Sequence, residues 1–434
     1  MSNKTKTNAV KDEATPARVP KLRFPEFRET DGWKFIPLNR LAIRAKQKNR
    51  DEKIDRVLTN SAEFGVLDQR NFFDKDIATQ GKLESYFIVE RGSYVYNPRI
   101  SSTAPVGPIS KNKIGTGVMS PLYTVFKFKD DRDDFYEHFF KTTGWHTYVR
   151  QASSTGARHD RMAISSDDFM AMPLPAPSPA EQQKIADCLS SMDKLMAAQA
   201  RKVGALKTRK KGLMHRLFPR EGETQPRVRF PEFQNAGEWE TTQLGDCLEK
   251  VIDYRGKPPP KAESGVPLIT AKNVRFGWLD MTADEYIEAG AYDAWMTKGI
   301  PKAGDILFTT EAPLGNVAMF PSVGVFALGQ RIITLRCNTK KCVPEFLFQS
   351  LLGPEMQKTI DFHSTGSTAK GIKSSVFVTL CIRHPKVEEQ QRIASFLSTL
   401  DALITAEAQK LEAFRSHKKG LLQQLFPSSE EVDA

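Results

Sequence analysis

The sequence predicts an α+β fold: two mixed α/β modules, each closed by one long helix, arranged as an internal repeat. Three observations carry this. The stretch Pro179–Phe218 contains Glu181-Gln182-Gln183-Lys184-Ile185-Ala186, then Lys210-Lys211-Gly212-Leu213 and Leu217-Phe218-Pro219. The same text returns 208 residues later as Glu389-Gln390-Gln391-Arg392-Ile393-Ala394, Lys418-Lys419-Gly420-Leu421 and Leu425-Phe426-Pro427. The segments between are rich in short β-branched and aromatic runs broken by Gly, Pro, Asn and Ser, as strands and turns require.

The long helices are legible by periodicity. With Leu189, Met196, Val203, Lys210 and Leu217 as heptad position a, position d is Ile185, Met192, Gln199, Leu206 and Leu213. The second copy places Leu397, Ile404, Leu411, Lys418 and Leu425 at a, and Ile393, Leu400, Glu407, Phe414 and Leu421 at d. Sustained apolar a/d positions argue for a coiled-coil seam, and isolated polar ones cost stability while fixing register. The exceptions fall at matched places, Gln199 with Glu407 and Lys210 with Lys418. About 38 residues at 1.5 Å each make a rod of roughly 57 Å. Each helix starts with acid in its first turn and ends near Phe-Pro. Gly212 and Gly420 are expected to fray or kink the last turns.

Both modules begin alike. Leu22-Arg23-Phe24-Pro25-Glu26-Phe27, with Trp33 beyond, matches Val228-Arg229-Phe230-Pro231-Glu232-Phe233, with Trp239 beyond. These aromatics are expected to pack each arm onto the domain that follows. In the first module Tyr94–Asn97 and the alternating Leu122–Phe128 read as strands, and Tyr136–Phe140 as helix. In the second, Pro267–Thr270, Asp305–Thr309 and Ile332–Arg336 read as strands, and Pro344–Leu352 as helix. The two share framing positions, among them Gly92 with Gly304, Ser154-Thr155-Gly156 with Ser364-Thr365-Gly366, and Ile164 with Ile372. One scaffold with divergent contents implies two versions of one recognition module. The expected boundaries are a disordered tail over 1–19, a first module over 20–174 and a central helix over 175–219. A linker over 220–227, a second module over 228–384, a terminal helix over 385–427 and a tail over 428–434 follow.

Charge narrows the function. Lys and Arg number 63 against 52 Asp and Glu, a net +11 in 434 residues, which favours a polyanionic partner. Arg201–Arg216 holds seven basic residues and no acid, either a solvated helix face or a docking surface. No run of 18 apolar residues is present, so no membrane span is expected. The five cysteines lack metal or disulfide spacing and read as reduced thiols of a cytoplasmic protein. No phosphate-binding Gly-x-x-x-x-Gly-Lys, dinucleotide Gly-x-Gly-x-x-Gly or His-Glu-x-x-His occurs. Asn97-Pro98-Arg99 lacks the second proline and the aromatic of an adenine methyltransferase loop. Asp130–Asp134 reads as a solvated loop before a helix.

The modules do carry the mixture that DNA reading needs: Lys and Arg for phosphates, and Arg, Asn, Gln, Ser and Thr for base edges. Candidate contacts in the first module are Arg99, Ser102, Thr103, Thr155, Arg158 and Arg161. Those in the second are Arg255, Lys257, Lys272, Asn273, Arg275, Thr310, Gln330, Arg331, Thr368 and Lys370.

These features together resemble the specificity (S, HsdS-type) subunit of a type I restriction–modification system, from Arg18 to Phe426. The paired Glu-Gln-Gln-x-Ile-Ala helices are its most specific part, followed by Gly299–Thr309 and Gly329-Gln330-Arg331-Ile332-Ile333. The first module departs from that last framing, with Ser120-Pro121-Leu122-Tyr123. The resemblance implies two target-recognition domains separated by two antiparallel helices, a coiled-coil spacer with pseudo-twofold symmetry. Each domain would read half of a bipartite, asymmetric site. Two methyltransferase subunits would dock on this frame, and restriction/translocase subunits would join them. The chain itself would be non-catalytic and bind no cofactor. S-adenosylmethionine would belong to the methyltransferase partner, and ATP and Mg to the restriction partner. The competing readings are an independent DNA-modifying enzyme and a coiled-coil adaptor without a DNA role.

Overall fold

The computed structural model describes residues 18–72, 83–154, 160–254, 256, 258–282, 285–366 and 370–427. The chain forms two compact units, 1–198 with 411–434, and 199–410. Each unit takes one module and part of each long helix.

In the first unit a four-stranded antiparallel sheet runs in the order Ala42–Arg44, Thr124–Phe128, Tyr94–Tyr96, Ile109–Lys111. Side chains alternate between the faces of a strand. Tyr94, Tyr96, Phe126 and Phe128 therefore join one core, with Trp33, Phe135, Phe139, Trp145 and Phe169. Val95 and Val125 point the other way, onto Leu58, Val66, Val89 and Met119. The strand expected from Leu122 starts at Thr124, because Tyr123 N–H closes a turn onto the Ser120 carbonyl at 3.0 Å. Asp133 is not solvated. It is buried, accepts from the Tyr94 hydroxyl and pairs with Lys111, so the acidic loop is pinned to the sheet.

The second unit repeats the sheet as Leu248–Asp253, Ile332–Cys337, Ile306–Thr309, Val317–Met319. Ile306, Phe308, Ile333 and Leu335 face a core with Trp239, Phe346 and Phe377. Leu307 and Ile332 face a second core with Leu268, Ile269 and Ala327. The smaller sheet there contains one parallel pair, Val266–Ile269 with Ala327–Leu328. Both units also close a two-stranded antiparallel ribbon just before a long helix. The first is Lys34–Pro37 with Pro173–Ala176, the second Glu240–Gln243 with Cys381–His384.

The helices span Pro179–Leu217 and Val387–Leu425, 39 residues each. They run through Gly212 and Gly420 without a break. The turns beyond those glycines are anchored: Met214 and Leu217 enter the second unit's core, Leu425 and Phe426 the first unit's. Every a and d residue named above is buried or partly buried. The polar ones are paired. Gln199 Nε2 donates to the Glu407 carboxylate at 2.6 Å, and Lys210 Nζ to Asp401 at 2.8 Å, both in the second unit. In the first unit Lys418 donates to Asp193. Two cations of the basic run, Lys202 and Lys210, thus meet acids of the other helix. No helix among the described residues is long and apolar enough to cross a membrane. The five cysteines are free, with Cys247, Cys337 and Cys342 buried.

Each N-terminal arm is clasped to a helix start. Arg23 Nε and Nη2 reach the Glu181 carboxylate at 2.7 Å each, and Nη1 donates to the Thr30 carbonyl. Arg229 repeats this on Glu389 and the Ala236 carbonyl. Both bidentate pairs are nearly solvent-free. Removing one partner from such a pair strands a buried charge at roughly 3–5 kcal/mol. Glu181→Ala or Glu389→Ala should therefore lower the urea midpoint by that equivalent. An unchanged midpoint would show that the clasp contributes nothing.

His138 links the short helix Asp134–Phe139 to the long helix Pro179–Leu217 through Nε2 and the Ser190 hydroxyl, 3.1 Å apart. Burial pushes its imidazole down to about 4, with Lys141 and Lys418 adding to the effect against Glu137 and Asp193. The folded chain keeps it neutral while the unfolded chain protonates near 6.5. Its contribution is thus complete above about pH 6.5 and is lost as the pH falls toward 4, up to about 3 kcal/mol. His138→Gln should flatten the stability profile over that window, as chemical denaturation at stepped pH would reveal.

Candidate nucleic-acid interface

In each module the predicted loops gather at the exit of the same sheet strand. In the first, Tyr94–Tyr96 runs into Asn97-Pro98-Arg99. The Pro98 carbonyl accepts from Met162 N–H at 2.8 Å, and Ile100 N–H donates to the Asp160 carbonyl at 2.9 Å. Arg99 and Arg161 form the bridge between. Asn97 orders the exit itself: its Oδ1 accepts from Arg99 N–H at 3.1 Å, and its Nδ2 donates to the Asn60 carbonyl at 2.9 Å. In the second, Ile306–Thr309 runs into Thr310 and Glu311. The Thr310 carbonyl accepts from Ile372 N–H at 2.9 Å, its N–H donates to the Arg331 carbonyl at 2.9 Å, and Glu311 bridges Gly371. Gln330 Nε2 donates to the Gly256 carbonyl at 3.0 Å, drawing in the loop around Tyr254.

The individual candidates divide by burial. Arg99, Ser102, Thr103, Lys272, Arg275, Arg331 and Lys370 are exposed, and Arg161 and Gln330 partly so. Asn273 and Thr310 are buried, and this corrects their reading as contacts. Asn273 Oδ1 accepts from Thr270 N–H and Oγ1, while its Nδ2 donates to the Asp280 carbonyl. Thr310 Oγ1 donates to the Arg331 carbonyl at 3.3 Å. Both hold the loops that carry their charged neighbours. Thr155, Arg158, Arg255, Lys257 and Thr368 lie outside the described residues.

Sequence reasoning missed Asn60, Thr59 and Tyr123. With Asn97, Arg99 and Arg161 they line a cleft of about 370 Å³ beside the first strand exit. Asn60 Nδ2 is fixed by the Val95 and Pro108 carbonyls, while its Oδ1 and Arg161 Nε have no hydrogen-bond partner among the described residues. A polar residue inside a strand gave no signal to find it by.

Each exposed candidate cation of the second module carries an acidic neighbour: Lys272 with Glu285, Arg275 with Asp280, Lys370 with Asp361 and Arg331 with Glu311. Hydrogen bonds from Lys261 and then Lys272 hold the Glu285 carboxyl below the usual range. Exposed pairs of this kind contribute little to stability, so an incoming phosphate displaces the acid at small cost. Among the described residues no group of three or more His, Cys, Asp or Glu is placed to hold a metal ion.

Residues 237–414 match the family model of the type I restriction modification DNA specificity domain. The chain is similar to specificity subunits of Methanocaldococcus jannaschii. The type I restriction enzyme MjaVIII specificity subunit is 24% identical over 337 residues, 75% of this chain and 73% of that protein. The MjaIX specificity subunit is 28% identical over 178 residues, 38% and 39%. Among solved structures, the S subunit of a type I restriction–modification system from M. genitalium superposes with a TM-score of 0.54 at 13% identity, over 94% of this chain and 99% of that one. A chain solved in a study of complex assembly and conformational transition of the type I R-M system gives 0.54 at 17%, over 91% and 98%. Together these findings support an HsdS-type specificity subunit.

Asn273→Ala separates scaffold from contact. Leaving its buried partners unpaired costs about 1–3 kcal/mol. The melting temperature should fall, while the base preference of DNA binding by the folded variant stays as in the wild type. A relaxed base preference with an unchanged melting temperature would return Asn273 to the contact surface.

Proposed function

We propose that each module reads one half of a bipartite, asymmetric DNA site. The two helices then form an antiparallel spacer with pseudo-twofold symmetry that sets the gap between halves. Two adenine-N6 methyltransferase subunits dock on this frame, and restriction/translocase subunits join them, so that the chain directs methylation or restriction without catalysing either. It binds no cofactor of its own. S-adenosylmethionine is held by the methyltransferase partner, ATP and Mg by the restriction partner, and the assembly works in the cytoplasm against foreign DNA.

One observation carries this reading. The two units present matched strand exits, Pro98-Arg99 and Thr310-Glu311, on the same sheet order, and their surrounding loops differ. The frame is constant and the reading surface is not, as a protein with two different half-sites requires. Base edges in the major groove are distinguished by the polar side chains found at these exits. The paired polar seam positions support the spacer, because they tie the helix register in each unit to one alignment.

Expression with a cognate methyltransferase subunit, followed by methylome sequencing, should reveal a bipartite motif with one methylated adenine in each half. Replacing Ile43–Met172 by another module should alter one half only. Inserting one heptad at both Gln199–Leu206 and Glu407–Phe414 adds about 10 Å to each rod. At about 3.4 Å per base pair the gap should grow by about three base pairs, with both halves unchanged. An assembled complex that writes no motif would overturn the reading. Altered half-sites after the heptad insertion would overturn the spacer.

A further inference from the structure

The strand exits share one backbone hydrogen bond and one bridge, and the exposed residues they place in register, Arg99 and Glu311, are opposite in charge. The central strands Tyr94–Tyr96 and Ile306–Thr309 occupy the same place in their sheets, third of four. The carbonyl of Pro98 accepts from Met162 N–H, and that of Thr310 accepts from Ile372 N–H. The next residue forms an isolated bridge in both, Arg99 to Arg161 and Glu311 to Gly371. Hydrogen bonding alone therefore sets Arg99 and Glu311 in register. Both side chains are exposed.

We infer that Arg99 and Glu311 are the matched base-reading residues of the two modules, Arg99 selecting guanine and Glu311 selecting cytosine. The inference rests on the DNA-reading function proposed above and names the residues that set its specificity. The chemistry is complementary. A guanidinium donates two hydrogen bonds to guanine O6 and N7, and a carboxylate accepts from the cytosine N4 amino group. Arg99 has no hydrogen-bond acceptor for its guanidinium among the described residues, and its N–H is held by Asn97 Oδ1, so the side chain leaves an ordered turn. It stands at the mouth of the cleft shared with Asn60 and Arg161.

Glu311 is the more telling of the two. Phosphates repel a carboxylate, so an acid gains nothing from the backbone of DNA, and an exposed one at this place fits a base edge. In the free protein it faces Arg331 Nε at 3.5 Å, with both side chains half exposed. Such a pair is weak and exchangeable. Arg331 sits at φ +66°, left-handed backbone that a side chain rarely adopts, and Ala312 follows Glu311 at φ +43°. Non-glycine residues in that region persist where the surroundings force them, and they cluster at functional sites. Gly371 completes the geometry. A Cβ there would lie 3.4 Å from the Glu311 Cβ, whereas the residue bridging Arg99 in the first module is Arg161. The first exit thus offers two cations, Arg161 paired with Asp160 at 3.4 Å and Arg99 without such a partner among the described residues, and the second an acid backed by one cation.

The test uses the intact chain with its methyltransferase partner, read by methylome sequencing and by selection from randomised duplexes. The wild-type motif should hold a G·C pair read by each module. Arg99→Gln should relax or convert one guanine toward adenine in the first half alone, since glutamine pairs with adenine N6 and N7. Glu311→Gln and Glu311→Ala should relax one cytosine in the second half alone. Preference at that position should fall about tenfold to a hundredfold, the share carried by one good base contact. A half-site without any G·C pair, or a motif unchanged in the variants, overturns the inference and leaves the DNA-reading function standing. So does a uniform loss of binding with no relaxed position in all variants of an assembled complex. An assembled wild-type complex with no motif at all removes the function and this inference together.

Discussion

Two lysines placed inside apolar helix seams constrain the structure more than any other pair of residues. Lys418 is nearly buried, and burial lowers its ammonium's pKa against the pull of Asp193. Lys210 stands in the matching place and pairs with Asp401. A seam of leucines alone tolerates slippage, because one leucine contact resembles the next. A slip of one turn here would leave a largely buried ammonium without its acid, which costs more than an apolar contact returns. In each unit the lysine therefore selects one register.

Much follows from that alignment within each unit. It brings Met214 and Leu217 into one core and Leu425 and Phe426 into the other, where they meet Trp239, and Trp33 with Phe135. The arginine–glutamate clasps then draw each N-terminal arm onto the start of a helix. Arm, ribbon, helix and sheet become one packed block, and the central strand of the sheet ends at its surface. Rigid elements thus hold the exposed side chains of the strand exits, Arg99 and Glu311, outside the packed cores.

The parts legible in the sequence were those governed by period and repetition. Heptads at 3.5 residues name a seam without tertiary information, and the matched polar exceptions named their own importance. Loops rich in Arg, Asn, Ser and Thr were recognisable as surface loops. Direction within them was not. Asn273 and Thr310 look like ideal base contacts, yet each satisfies backbone groups of its own turn, because short polar side chains compete for nearby main-chain atoms. Asn60 was hidden for the opposite reason, being a lone polar residue inside a strand. Asp133 looked solvated among its acidic neighbours, and only the fold brings Lys111 and Tyr94 to it.

The divergence of the two modules has a physical boundary that these cases locate. Gly92 and Gly304 keep matched positions at φ +89° and +88°, where a side chain would be strained, so backbone geometry forbids change there. The clasps cannot change singly, because each partner would be left charged and buried, and loss of either seam acid would strand a largely buried ammonium. At Arg99 and Glu311 neither limit applies. The Arg99 N–H is held by Asn97 Oδ1 and Glu311 bridges the Gly371 main chain, and both side chains are exposed. A residue whose main chain is fixed and whose side chain bears no packing can reverse its charge without unfolding anything. That is the property a recognition position needs if one scaffold is to serve two different half-sites.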